Sequence, residues 1–184
     1  RVNRAPGAPG ERARDAAGRA ESGSEPVTPE SLGRLAKDLR ELLGDPSREG
    51  RMSVRGAEGQ YDTRSGVIRM RLGEDFTTLL HEGGHAFAFK HRDAFRRIMA
   101  EADEAGEVRG LASGVESDVR SRRDEAFAEL MRMYVEAPAW LEENAPRALE
   151  AFKREVAAAS PLIARGLQTL RERYQAFLDQ PSTA

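Results

Sequence analysis

From Leu32 onward the apolar positions recur with two different periods, and the change of period marks the elements. Leu32, Leu35, Leu39, Leu42 and Leu43 form a helical stripe. Thr28 is positioned to cap it, with Pro29 at the first helical position, and Gly44-Asp45-Pro46 ends it. Between Arg51 and Leu72 the period shortens towards two. Met52 and Val54, then Tyr61, then Val67, Ile68, Met70 and Leu72 are separated by Gly56, Gly59 and Gly66, which predicts short strands and a hairpin whose second arm runs over about 67–72. The period then lengthens again. Behind the acidic start Gly73-Glu74-Asp75, the residues Phe76, Leu79, Leu80, Gly83 and Phe87 predict a long helix that reaches towards Ile98. Residues 105–117 have the mixed charge and glycine content of a loop. Phe127, Leu130, Met131 and Tyr134 mark another helix from about Asp124, and Pro138, Pro146 and Ser160-Pro161 divide the remainder into a short helix and two longer ones, about 146–158 and 162–178. The expected fold is α+β: mostly helical, with a small antiparallel sheet preceding the helix over Phe76 and beyond.

Residues 1–26 are rich in Arg, Ala, Gly, Pro and Ser and lack a sustained apolar period, so a flexible tail or linker is expected there and one domain over 27–184. A chain of 184 residues with 39% hydrophobic positions is large enough for a core without covalent staples, and it has no cysteine to form any. Thiolate metal sites and cysteine nucleophiles are thereby excluded, and a metal here must be held by histidine and carboxylate. A net charge of -2 speaks against a dominant nucleic-acid or membrane surface. Without a run of roughly 20 apolar residues or a signal-like apolar stretch, the chain is expected to be soluble, and its start at Arg1 suggests part of a larger polypeptide.

The chemistry is concentrated in His81-Glu82-Gly83-Gly84-His85. On a helix, residues four apart share a face, so both imidazoles can reach one Zn²⁺ while Glu82, rotated about 100° aside, stays free as a base. A catalytic zinc takes three protein ligands and leaves one position open. Two residues compete for the third place. His91 falls ten positions after His81, the spacing of the third histidine in the metzincin layout, although Ala88 stands where that layout has its glycine. If the helix continues, His91 points away from the metal. Glu125 sits on the next apolar helix with Glu129 one turn later. One of these carboxylates can bind metal while the other accepts the free ring N–H of a ligating histidine, Glu129 orienting His81 in this way. The glycines inside the cassette weaken a helix, and close packing on the buried side of Gly84 is the expected reason for them.

The run Glu125-Ala-Phe-Ala-Glu129-Leu-Met-Arg-Met-Tyr resembles the gluzincin pattern, in which a glutamate ligand is followed four residues later by an acidic residue. Together with Asn144-Ala145-Pro146 and the lead-in Thr77-Thr78-Leu79-Leu80, it is similar to the anthrax lethal factor-like metallopeptidases and to the zincin domains embedded in phage and plasmid polyvalent proteins. The resemblance covers roughly 66–152. It implies a zincin-like fold, one Zn²⁺, and hydrolysis of a protein or peptide substrate with Glu82 as general base. Those enzymes carry a tyrosine one to two turns before the glutamate ligand to stabilise the oxyanion, whereas residues 117–123 hold none. Arg120, Arg122 or Arg123 could serve instead, since a guanidinium also stabilises an oxyanion. Two other functions stay open on sequence alone: a non-catalytic zinc-holding scaffold that acts as an interaction or packaging module, and a zinc hydrolase of a non-peptide amide.

Overall fold

The computed structural model describes residues 31–44, 47–49, 59–71, 75–113 and 119–180. Of these, 77% are helical, and a three-stranded mixed sheet accompanies the helices, so the architecture is α+β. The tail over 1–26, the helix cap expected at Thr28 and the strand positions Met52 and Val54 lie outside the described residues.

Helix α1, Leu32–Leu43, starts three residues later than its proline suggested. Ser31 is extended and its hydroxyl accepts the Arg34 N–H at 3.3 Å, so the cap is Ser31. Gly44, at φ 65, closes the other end in the left-handed region. The strands β1 (Ser47–Glu49), β2 (Gly59–Asp62) and β3 (Val67–Met70) follow in the spatial order β1-β3-β2. β2 and β3 form the expected hairpin, turned by Asp62, which accepts from the Arg64 N–H, and by Gly66 at φ 65. β1 pairs parallel to β3, Ser47 opposite Ile68, so the sheet is mixed and the purely antiparallel expectation is corrected. The strand Ser-Arg-Glu has no apolar alternation and joins the sheet through its backbone, so no periodic signal marked it.

Asp75 caps helix α2, Phe76–Lys90, by accepting the Thr78 N–H. The helix ends at His91, short of the expected Ile98. His91 (φ -117, ψ 55) still donates its N–H to Phe87 O, while its own carbonyl accepts from Phe95 and opens helix α3, Arg92–Glu104. No glycine or proline signals this break. A four-residue helix, α4 (Val108–Leu111), occupies the segment expected to be loop, and α5 (Val119–Glu136) begins five residues before Asp124, through an arginine-rich stretch of good helix formers. Helices α6 (Pro138–Asn144), α7 (Pro146–Ala159) and α8 (Pro161–Leu178) match the divisions marked by proline. The first turn of α7 has no side-chain cap of its own, and Glu107 supplies one from the start of α4, accepting the N–H groups of Arg147 and Ala148.

The core has Phe127 of α5 at its centre, with the rings of Phe87, Phe95 and Phe152 at 5.4–5.9 Å. α2 runs through the middle, against α1, α5 and strands β2 and β3, and nine of its fifteen residues are buried. Its two central glycines face different neighbours. A Cβ on Gly84 would lie 2.7 Å from the Ala128 Cα, whereas one on Gly83 would meet the Leu43 side chain at 2.8 Å. The close packing expected on the buried side of Gly84 is therefore present, and its partner is α5. None of the described helices is long and apolar enough to cross a membrane.

Gly84→Ala should therefore lower the unfolding free energy by about 2 kcal/mol, the cost of overpacking against backbone outweighing alanine's better helix propensity. Gly110→Ala, whose Cβ would meet nothing within 4 Å, should leave stability unchanged or raise it. Urea unfolding of both variants checks this, and equal stabilities would contradict the close approach.

Candidate metal centre

The α2–α5 crossing brings the two motif-bearing stretches face to face. His81 and His85, one turn apart on α2, meet Glu125 on α5, and their ligand atoms all lie within 4.8 Å of one another. His81 Nε2 is 3.2 Å from His85 Nε2 and 3.3 Å from Glu125 Oε2, and His85 Nε2 is 3.7 Å from Glu125 Oε1. A tetrahedral zinc with nitrogen and oxygen ligands at about 2.0–2.2 Å holds neighbouring ligand atoms roughly 3.3–3.6 Å apart. The three contacts cluster around that range, the two imidazoles approaching different oxygens of the Glu125 carboxylate, so the donor set and its spacing fit one such ion.

His81 is oriented from behind. Its Nδ1 lies 3.0 Å from Glu129 Oε1. A carboxylate is an acceptor, so Nδ1 carries a proton and Nε2 faces the triangle, offering its lone pair there once the ring is neutral. Burial disfavours the His81 imidazolium, but hydrogen bonds to Glu125 and Glu129 outweigh it and push its pKa up to about 9. His85 moves the opposite way, lowered by burial and by the charge on His81. The Glu125 carboxyl is lowered, mostly by its hydrogen bond with His81. Glu129 resists its own burial because His81 and Arg132 both donate to it, and it falls to about 2.

Glu82 stands apart from the triangle, as a base should. It is only 6% exposed. Burial raises its pKa to about 7, against the opposing effects of the His81 charge and a hydrogen bond from the Tyr61 N–H. That N–H belongs to β2, the strand at one edge of the sheet. Gly59 of the same strand makes room, since a Cβ there would lie 2.7 Å from both Glu82 Cγ and Glu82 Oε1. This edge strand thus uses one of its backbone donors to hold Glu82.

The remaining candidates are not brought to the triangle. The His91 ring packs against Phe87, tilted by 32° with centroids 4.4 Å apart, and His91 is absent from the ligand cluster among the described residues. Arg123 Nε lies 3.0 Å from Asp103, an ionic contact misaligned for a hydrogen bond, and Arg122 and Arg123 line a cavity of about 190 Å³ with Asp103, Gly106, Val108 and Arg109. The side chain of Arg120 lies outside what is described. Tyr134 is buried against Phe152, with Arg171 over its ring. The sequence reasoning passed over Gly59 and the Tyr61 amide as partners of Glu82. It also passed over Arg132, which touches Glu129 at 2.6 Å; its placement three residues after Glu129 was the available signal.

Comparison with protein-family models, with curated proteins and with solved structures finds no match to this chain.

Metal binding requires His81 to be neutral, so a bound zinc must displace its proton. Because that proton is held up to a pH of about 9, the apparent zinc affinity should rise roughly tenfold per pH unit through the neutral range and flatten above about 9. Competition titrations against a chelator at several pH values measure this, and a pH-independent affinity would exclude His81 as a ligand.

Proposed function

We propose that the chain is a zinc-dependent peptidase of the zincin type, gluzincin branch, in which His81, His85 and Glu125 hold one Zn²⁺ and Glu82 is the general base. The observation that carries this reading is Glu82. A zinc that only stabilised a fold would need no base, yet beside the triangle sits a buried carboxyl, held by the Tyr61 amide and poised near 7. When bound, the ion acidifies a water and polarises a carbonyl. Glu82 takes the proton of the attacking water and passes it to the departing amine as the peptide C–N bond breaks. Its pKa suits both halves of that task, since it lies near the pH at which it must accept and then donate. Glu129 keeps the His81 Nδ1–H engaged, so that His81 faces the triangle through Nε2 throughout. The expected substrate is a protein or peptide, as the resemblance to lethal factor-like and polyvalent-protein zincins implies.

A second reading, the non-catalytic zinc-holding module, is favoured by one observation: Arg123 turns to Asp103 and Tyr134 is buried against Phe152, so neither offers an oxyanion stabiliser.

Glu82→Gln should retain stoichiometric zinc while cleavage of a peptide library falls by at least about 10²-fold, the usual contribution of a general base. Zinc retention without any Glu82-dependent cleavage by the wild type would leave the scaffold reading in place. Glu125→Ala is expected to abolish zinc binding and His91→Ala to preserve it, as measured by metal analysis of the purified proteins. The reverse result would assign the third ligand to His91.

A further inference from the structure

We propose that Arg132 is a positioning residue of this centre: through Glu129 it fixes the direction in which His81 presents Nε2. The proposal rests on the metal-site reading given above. Arg132 Nε and Nη2 both donate to Glu129 Oε2, at 2.9 and 2.6 Å, which leaves Oε1 alone to face His81 Nδ1 at 3.0 Å. The terminal torsion of a glutamate is otherwise broad, so a carboxylate held at one oxygen only would rotate and carry the imidazole with it.

Arg132 is itself held. Its Nη1 donates to Glu136 Oε2 at 2.6 Å, and the other oxygen of Glu136 accepts from Thr77 Oγ1 at 2.6 Å. Thr77 lies one turn before His81 on the same helix. The contacts therefore form a closed circuit that leaves α2 at His81, runs along α5 through Glu129, Arg132 and Glu136, and returns to α2 at Thr77. The bland alternative is that Arg132 makes two helix-surface ion pairs, at i,i−3 and i,i+4, worth a few tenths of a kcal/mol each. Two features distinguish the circuit from such pairs. The Glu136 side chain is only 9% exposed, and both ends of the circuit engage a different helix. The planar guanidinium reaches two carboxylates at once from fixed directions, which a lysine ammonium cannot reproduce.

The test uses the full chain with Arg132→Gln, Arg132→Lys and Glu136→Gln. As a control, Arg154→Gln removes a comparable arginine of α7 that pairs with Glu101 and Glu155. Zinc affinity is read by chelator competition, the exchange rate of the His81 Nδ1–H is read by NMR on chelated protein, and urea unfolding monitors the fold. Arg132→Gln is expected to weaken zinc about tenfold, the low end of the effect of removing a residue that supports a ligand, and to accelerate Nδ1–H exchange. Arg132→Lys should fall between it and the wild type, Glu136→Gln should shift both readouts the same way, and Arg154→Gln should leave both unchanged. Folded Arg132→Gln with wild-type affinity and exchange would overturn the proposal, as would an equal effect of Arg154→Gln. Should Arg132→Gln fail to fold, Arg132→Lys decides by the same two readouts. If the wild type takes up no zinc, the metal-site reading fails, and the exchange rate alone decides on Arg132: an unchanged rate refutes it.

Discussion

The centre depends on how closely α2 and α5 approach at Gly84 and Ala128. Packed helices usually lie 8–10 Å apart, the distance being set by the side chains at the contact. Here one side contributes only a hydrogen atom, and a methyl group in its place would lie 2.7 Å from the opposing backbone. Glutamate has a short reach, so the separation of the helices decides whether Glu125 arrives within 3.3 Å of His81 and 3.7 Å of His85. The apolar seam that holds the helices at this distance, with Leu80 and Phe87 on one side and Phe127 and Met131 on the other, is fully buried. Polar groups gather along its margin. The geometry of the triangle is thus a consequence of core packing, and the glycine that weakens the helix in isolation is what lets the two helices bring His81, His85 and Glu125 together.

How much of this was legible depended on whether a feature is local. The histidine spacing is fixed by the helical period, so His81 and His85 could be placed on one face from five residues of sequence. Glu125 and Glu129 were legible for the same reason, as an acidic pair one turn apart on an apolar helix. Helix ends with a cap or proline could also be read: Asp75, Pro138, Pro146 and Ser160 all stand at or beside element boundaries. Features set by tertiary register could not. β1 has no pattern of its own, and the break at His91 has no glycine or proline. Glu107 caps a helix forty residues away. Thr77 and Glu136 are 59 residues apart and meet only because α2 and α5 pack in one particular register.

The electrostatics follow from crowding several carboxyls around one seam. Glu82, Glu125, Glu129 and Glu136 cannot all be treated alike by their surroundings, and the structure separates them. Glu129 and Glu136 receive arginine and are held as acceptors. Glu125 faces two imidazoles and stays ionised below its ordinary range. Glu82 is buried with the Tyr61 backbone amide donating to it, and it rises to about 7. Environments that push chemically identical groups in opposite directions separate their roles. Glu129, near 2, cannot hold a proton at neutral pH and can only orient. Glu82 can both take a proton and return it. The same divergence appears in the imidazoles, His81 raised and His85 lowered, because only His81 has a carboxylate at each ring nitrogen. A divalent cation held between them, as proposed, would remove that asymmetry, since ligation requires both rings neutral and the ion would take over the compensation of Glu125. The proton that His81 would surrender is then the electrostatic counterpart of the ion, and the arginine circuit behind Glu129 would keep the ring facing the triangle after the charge that first attracted the carboxylate had gone.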